Sequence, residues 1–259
     1  MITSTRNPKI QWVRSLQARS RQRREDSAFV VEGVRLVEEA LNSGWKARLV
    51  MYTDDLDLRG QRLVDEFASR SVPIELVTLQ VMRAASDTQT PQGILGVISL
   101  DDLPLPESLD FVFIPDGIRD PGNLGTMLRT AAAAGVDAVF LPPGTVDAFA
   151  PKVLRSAMGA HFRLPLFTGS WEELRALISR ASLRVYLAAA DCDLVYTQAD
   201  FRSPLALIVG GEAGGAGEAA RQVGDACVSI PMPGGTESLN AAAAAAVLFY
   251  EVLRQRSAT

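Results

Sequence analysis

The chain has 259 residues with a 47% apolar composition, enough for one large domain or two ordinary ones and too apolar for disorder. A formal net charge of −4 excludes a globally basic nucleic-acid binder, so any such contact has to come from local charge. The two cysteines lack CxxC spacing and His161 is the single histidine, which argues against structural zinc and predicts buried thiols in a reducing cytoplasm. Residues 1–15 hold no apolar signal core and no run reaches membrane-span length, so a soluble cytoplasmic protein without a membrane partner is expected.

The first twenty-four residues carry Arg6, Lys9, Arg14, Arg19, Arg21, Arg23 and Arg24 and no acid. Ile10, Val13, Leu16 and Gln17 recur at helical spacing, so part of this stretch reads as a basic helix. Two readings stand side by side. The helix is a solvated surface, or its arginines pair with RNA phosphates and stack on bases.

Strands are expected at 29–31, 47–52, 74–77 and 93–100, and helices at 34–42, 61–70 and 79–85. Their alternation predicts a first α/β unit over residues 1–100. The proline-bearing DDLPLPES at 101–108 reads as a linker to a second unit, 109–259.

The second unit opens on a buried strand at 110–114. Asp120, Pro121 and Gly122 form a turn, and Asn123 starts a helix that runs through the alanines at 131–134. Asn123 and Arg129 are six residues apart, about 240° round a helix, so they converge only if Asn123 belongs to the loop or first turn. Small neighbours, Thr130 and the alanines after it, suggest a packed and unsolvated Arg129. A strand at 138–141, helices around 152–160 and 171–179, and strands at 184–189 and 205–209 follow. The last strand runs into Gly210, Gly211, Glu212, Ala213, Gly214 and Gly215. Such glycine loops place ligands at the carboxyl edge of a parallel sheet, yet neither GxGxxG after a strand nor GxxxxGK[ST] is present.

The stretch 230–251, IPMPGGTESLNAAAAAAVLFYE, joins a stiff Pro- and Gly-rich turn to an alanine helix. Ser238 or Asn240 reads as its N-cap, worth roughly 1 kcal/mol. A rigid turn before so small-sided a helix suggests a ligand loop.

Three of these stretches resemble, in order, the motifs of the SpoU (TrmH-type) RNA ribose methyltransferases of the SPOUT superfamily. They are Asn123-x-Gly125-x-x-x-Arg129, then Leu207 to Glu212 as LIVGGE, then Ile230-Pro231-Met232 through Ser238-Leu239-Asn240. The segment RSAMGAHFRLP at 155–165 is similar as well. Ala213 departs from the glycine common in the family. The resemblance implies an α/β-knot domain, a deep trefoil knot on a mostly parallel sheet, preceded by a smaller α/β substrate-recognition domain. It implies S-adenosylmethionine held by Gly210, Gly211, Glu212, Ile230, Met232, Ser238 and Leu239, with no metal. It casts Arg129, Asn123, Glu212, Ser238 and Asn240 as the catalytic set. It implies a homodimer whose site is completed across the interface, and an RNA partner met by Arg6, Lys9, Arg21, Arg23, Arg24 and Arg35. Ribosomal RNA is preferred to transfer RNA as substrate. A protein of this fold that binds RNA or ribosomes without catalysis, or a tRNA-directed enzyme, remains the alternative.

Overall fold

The computed structural model describes residues 1–101, 103–211 and 214–257. The chain separates into two compact units, Met1–Asp102 with Phe149–Phe162, and Leu103–Ala148 with Arg163–Thr259. The stretch 149–162, expected in the second unit, therefore groups with the first. The reason is aromatic packing: Phe149 and Phe162 set their rings 5.0 and 6.2 Å from Phe29, and Trp45 lies edge-on to Phe162 at 5.2 Å.

In the first unit, α1 (Pro8–Ala18) starts where the Asn7 side chain accepts from the Lys9 N–H and Pro8 takes the first helical position. α2 (Ser20–Asp26), β1 (Ala28–Glu32), α3 (Val34–Ser43), β2 (Ala47–Tyr52), α4 (Leu58–Ser69), β3 (Ile74–Leu76), α5 (Leu79–Ala85) and β4 (Ile94–Ser99) follow. The strands form a sheet in the order β1-β4-β2-β3, antiparallel except for β2 and β3. Alternation along β1 explains why it is apolar throughout. Phe29 and Val31 pack under α3 and α4, with Val37, Leu63 and Phe67. Ala28 and Val30 pack under α1 and α5, with Val13, Leu16 and Met82.

The second unit contains β5 (Phe111–Asp116), α6 (Pro121–Ala133) and β6 (Ala138–Leu141). The chain then makes α7 (Pro151–Ala157), which belongs to the first unit, and returns as β7 (Leu166–Thr168), α8 (Trp171–Ala181), β8 (Arg184–Ala188), β9 (Leu194–Val195), β10 (Leu205–Gly210), α9 (Glu218–Arg221), β11 (Ala226–Ser229) and α10 (Ala241–Ser257). Among the described residues the sheet runs β7-β6-β5-β10-β8-β11-β9, with every pairing parallel. Central β5 and β10 are buried along nearly their whole length, as strands covered on both faces must be. Phe249 of α10 packs edge-on to Phe113 and Phe111 of β5, at 4.8 and 5.9 Å. No helix among the described residues is long and apolar enough to cross a membrane.

The cysteines depart from expectation. Cys192 and Cys227 form a disulfide with Cα atoms 5.5 Å apart, although 35 residues separate them. They meet because β11 lies beside β9 in the sheet.

The end of α10 is held by a polar cluster. Glu251 accepts from Arg254 at 2.7 Å through each carboxylate oxygen and from Gln255 at 2.8 Å, and Gln255 reaches the Ala199 carbonyl. The hydrogen-bonded Arg254 guanidinium holds the Glu251 carboxyl below the usual carboxylate range, against the opposing effect of burial. A lowered folded value stabilises the protein above the unfolded pKa, and that contribution is lost as pH falls through the folded value. Glu251→Gln is therefore expected to lower the thermal midpoint at pH 7, with the deficit shrinking on acidification. Calorimetric melts across that range check it; a pH-independent deficit would contradict the ionic origin.

Candidate active site

The three motif stretches meet at the carboxyl edge of the parallel sheet, the position where such sheets place ligands. A cavity of about 310 Å³ opens beyond the ends of β8, β10 and β11. Its lining includes Gly210, Gly211, Ile230, Met232, Ser238 and Leu239, so the described residues expected around a cofactor line one cavity. Glu212 and Ala213 lie outside the described residues. Asp191 and Arg221 also line the cavity, and sequence reasoning missed both. No motif marks them. Asp191 lies just after the strand expected at 184–189, and Arg221 sits in a one-turn helix too short to carry periodicity.

The glycines here answer to backbone crowding. A Cβ on Gly211 would lie 2.6 Å from the Gly117 carbonyl oxygen, and one on Gly210 would collide with the backbone of Gly215 and Ala216. Gly215 donates its N–H to the Gly211 carbonyl at 2.9 Å. Just beyond, the Gly217 N–H donates to the buried carboxylate of Asp116 at 2.7 Å, tying this loop to the end of β5. By contrast, a Cβ on Gly214 meets nothing within 4 Å.

Asn240 is the N-cap of α10. Its Oδ1 accepts from the N–H groups of Ala242 and Ala243, at 2.9 and 3.2 Å. Its Nδ2 donates to Oδ1 of Asn123 at 3.1 Å. Asn123 occupies the first turn of α6, where its own N–H bonds the side chain of the N-cap Asp120 at 2.8 Å. One side-chain contact thus joins the first motif to the third across 117 residues. A second cavity of about 600 Å³, lined by Asn123, Arg119 and Asp116, shares Gly211 and Ala241 with the first.

Arg129 does not follow its expected packing. It projects from an exposed stripe of α6 with Thr126 and Ala133 and lines neither cavity. Of the small residues around it, Ala131 and Ala134 are buried on other faces of the helix, while Ala133 shares the exposed stripe. Ser238 is exposed at the cavity rim.

Of the basic residues singled out near the N-terminus, Arg6, Lys9, Arg21, Arg24 and Arg35 are exposed. Lys9 pairs with Glu75, and Arg21 with Glu25 at 2.7 Å. Arg23 is a correction. It is 4% exposed and donates to the carbonyls of Leu16 and Gln17 at the end of α1, so it cannot reach a phosphate without breaking the α1–α2 corner.

The SpoU rRNA Methylase family matches residues 110–250, and the MRM3-like substrate binding domain matches residues 7–96. The chain is 34% identical to the 23S rRNA guanosine 2′-O-methyltransferase RlmP of Bacillus subtilis, covering 97% of this chain and 98% of that one. It is 32% identical to a 23S rRNA uridine 2′-O-methyltransferase of Streptomyces viridochromogenes, over 98% and 92% of the two chains. An S-adenosylmethionine-bound rRNA methyltransferase from Sinorhizobium meliloti superposes with a TM-score of 0.87 at 28% identity, covering 98% of this chain and 97% of that one. The fold is that of a SPOUT-type methyltransferase. The chain belongs to the SpoU rRNA methylase family.

Proposed function

We propose that this protein transfers a methyl group from S-adenosylmethionine to the 2′-hydroxyl of a ribose in ribosomal RNA. The observation that carries the reading is the Asn123–Asn240 bond, which closes the first and third motifs beside the cavity of the second and third. The residues present suit the cofactor. The walls are largely apolar, Gly210 and Gly211 leave no room for a Cβ, and Asp191 and Arg221 offer one charge of each sign to a zwitterionic amino acid.

When bound, the cofactor supplies a methyl group already activated by its sulfonium. The protein's task is then to align the hydroxyl and to ease the loss of its proton. Gly210, Gly211, Ile230, Met232, Ser238 and Leu239 would hold the cofactor, and Glu212 would position the loop. Asn123 and Asn240 would orient the nucleotide beside it. Arg129 would act from the exposed face of α6, binding the target phosphate and favouring the 2′-oxyanion by its positive field. A guanidinium carries five N–H donors and no acceptor, so it suits that role better than the role of a base.

Arg129 lines neither cavity of its own chain, and we read it as serving the cavity of another copy. Tyr250 and Leu253 leave 52% and 39% of their surface exposed on α10, the helix that Asn240 links to α6. This supports a homodimer through the α6–α10 face, with Arg129 serving the partner's cavity. Leu253→Asp is expected to yield monomers by light scattering; an unchanged dimer would move the interface elsewhere.

The first unit would recognise the RNA, and the protein would act in the cytoplasm. Exposed Arg21 and Arg24 are expected to contact phosphates, each contact adding about 0.7–0.9 to the salt slope of log affinity. The pair Arg21→Glu and Arg24→Glu should flatten that slope and leave cofactor binding intact. Arg23→Ala should instead lower stability. Titrations of RNA binding against salt check this, and an unchanged slope would make α2 a solvated surface. The test of the function itself is methyl transfer to ribosomal RNA from cells lacking the protein; cofactor binding without transfer would favour a non-catalytic RNA binder.

A further inference from the structure

The Cys192–Cys227 pair stands where it can act on the cofactor cavity. After β8 ends at Ala188, the chain crosses over β11 to reach β9. Ala188 at the end of β8 and Ala189, Ala190 and Asp191 on this crossover form part of the cavity lining, together with Val228 of β11 and Ile230 just after it. Two ties hold the crossover to the strand beneath it. The Ala189 N–H donates to the Val228 carbonyl at 3.0 Å, and Cys192 is bonded to Cys227 within β11. Beyond Cys192, β9 adds the short pairing of Leu194 and Val195 with Val228 and Ser229, and the Ser229 hydroxyl donates to the Leu194 carbonyl at 3.4 Å. The disulfide is thus the covalent tie at the far end of a wall otherwise held by a few hydrogen bonds.

The pair is open to chemistry. Both cysteines are half-buried, and both line a shallow cavity of about 520 Å³ that shares Asp191 and Arg221 with the cofactor cavity. In a reducing cytoplasm such a bond is transient, which distinguishes a responsive pair from a permanent staple.

We infer that Cys192 and Cys227 are a reversible thiol–disulfide modification site that sets the affinity of the cofactor cavity, tight when the disulfide is closed and weaker when it is open. The inference rests on the methyltransferase reading of that cavity. Opening uses a dithiol reductant. One of its thiolates attacks a sulfur of the pair, the S–S bond breaks, and a mixed disulfide forms. The reductant's second thiol then releases the other cysteine. Two electrons and two protons pass to the protein, leaving two free thiols and an oxidised reductant. Closing reverses this with a disulfide-form oxidant.

The effect follows from ordering. With the bond open, residues 189–193 must be ordered when the cofactor binds, and that cost appears as lost affinity. The dissociation constant for S-adenosylmethionine is expected to rise about three- to tenfold on reduction. Calorimetry with the full chain, oxidised by glutathione disulfide or reduced by dithiothreitol, measures it. Alkylation and mass spectrometry count the free thiols in each sample. Cys192→Ser and Cys227→Ser should each bind like the reduced parent and ignore the reductant. Equal affinity in both redox forms, or free thiols after oxidation, overturns the inference and leaves the methyltransferase reading standing. Absence of cofactor binding in either form overturns both.

Discussion

Arg129→Ala is expected to cut methyl transfer by roughly two to four orders of magnitude, the range for losing one acid–base or electrostatic group. Its side chain is exposed on α6, so stability should stay within about 0.5 kcal/mol of the parent. Cofactor affinity should also hold, because Arg129 lines neither cavity of its own chain. Arg129→Lys should recover little, since a point charge does not reproduce a bidentate fork on phosphate. Single-turnover transfer of tritiated methyl at saturating cofactor reads the loss. Near-parental turnover by Arg129→Ala would remove this residue from the mechanism. In mixed dimers, an Arg129→Ala subunit paired with a subunit defective in its cofactor cavity should retain one working site. That recovery would be absent if each chain used its own arginine.

Gly211→Val is expected to weaken S-adenosylmethionine binding by at least tenfold, or about 1.4 kcal/mol. The Gly117 carbonyl stands 2.6 Å from the added Cβ and belongs to the backbone, so the loop has to move rather than a side chain. Overpacking of this kind costs about 1–3 kcal/mol, and cofactor binding would have to restore the displaced wall. Gly214→Ala is the control for packing within the protein: Gly214 lines the same cavity, but its Cβ meets no protein atom within 4 Å. The pair separates local crowding from a general intolerance of the loop to side chains. Calorimetric titration of both variants decides it: equal weakening would show that crowding against Gly117 is not the cause.

Much of the site was legible in the sequence because its parts carry local chemistry. The N-cap of α10 follows from Asn240 before six alanines, and the glycines after β10 follow from a strand ending in a loop. What local pattern cannot convey is which face of a helix meets which neighbour. Arg129 sits among small residues, yet α6 turns it to the outside while Met127 and Leu128 face the core. Arg23 belongs to a basic run, yet its guanidinium caps the carbonyl end of α1. The strands β7, β9 and β11 are only two to four residues long and take their places by pairing with β6, β8 and each other. The cysteine pairing is a product of sheet order, since β11 and β9 become neighbours only after the crossover from β8. In each case the missing information is tertiary.

The grouping of 149–162 with the first unit has the same origin. In sequence these residues lie between β6 and β7 of the second unit. Phe149 and Phe162 leave it to pack on Phe29 and Trp45, a cluster assembled from residues more than a hundred positions earlier.

Direct mapping of 2′-O-methylation in RNA tests the central claim. Total RNA from cells lacking the protein would be incubated with the purified full chain and labelled S-adenosylmethionine, then separated and mapped nucleotide by nucleotide. The expected result is label on the ribose 2′-oxygen of a ribosomal RNA nucleotide that is unmodified in those cells and modified in the parent, and no label with Arg129→Ala. Label on a base or in transfer RNA, or no transfer by a chain that binds the cofactor, would contradict the account.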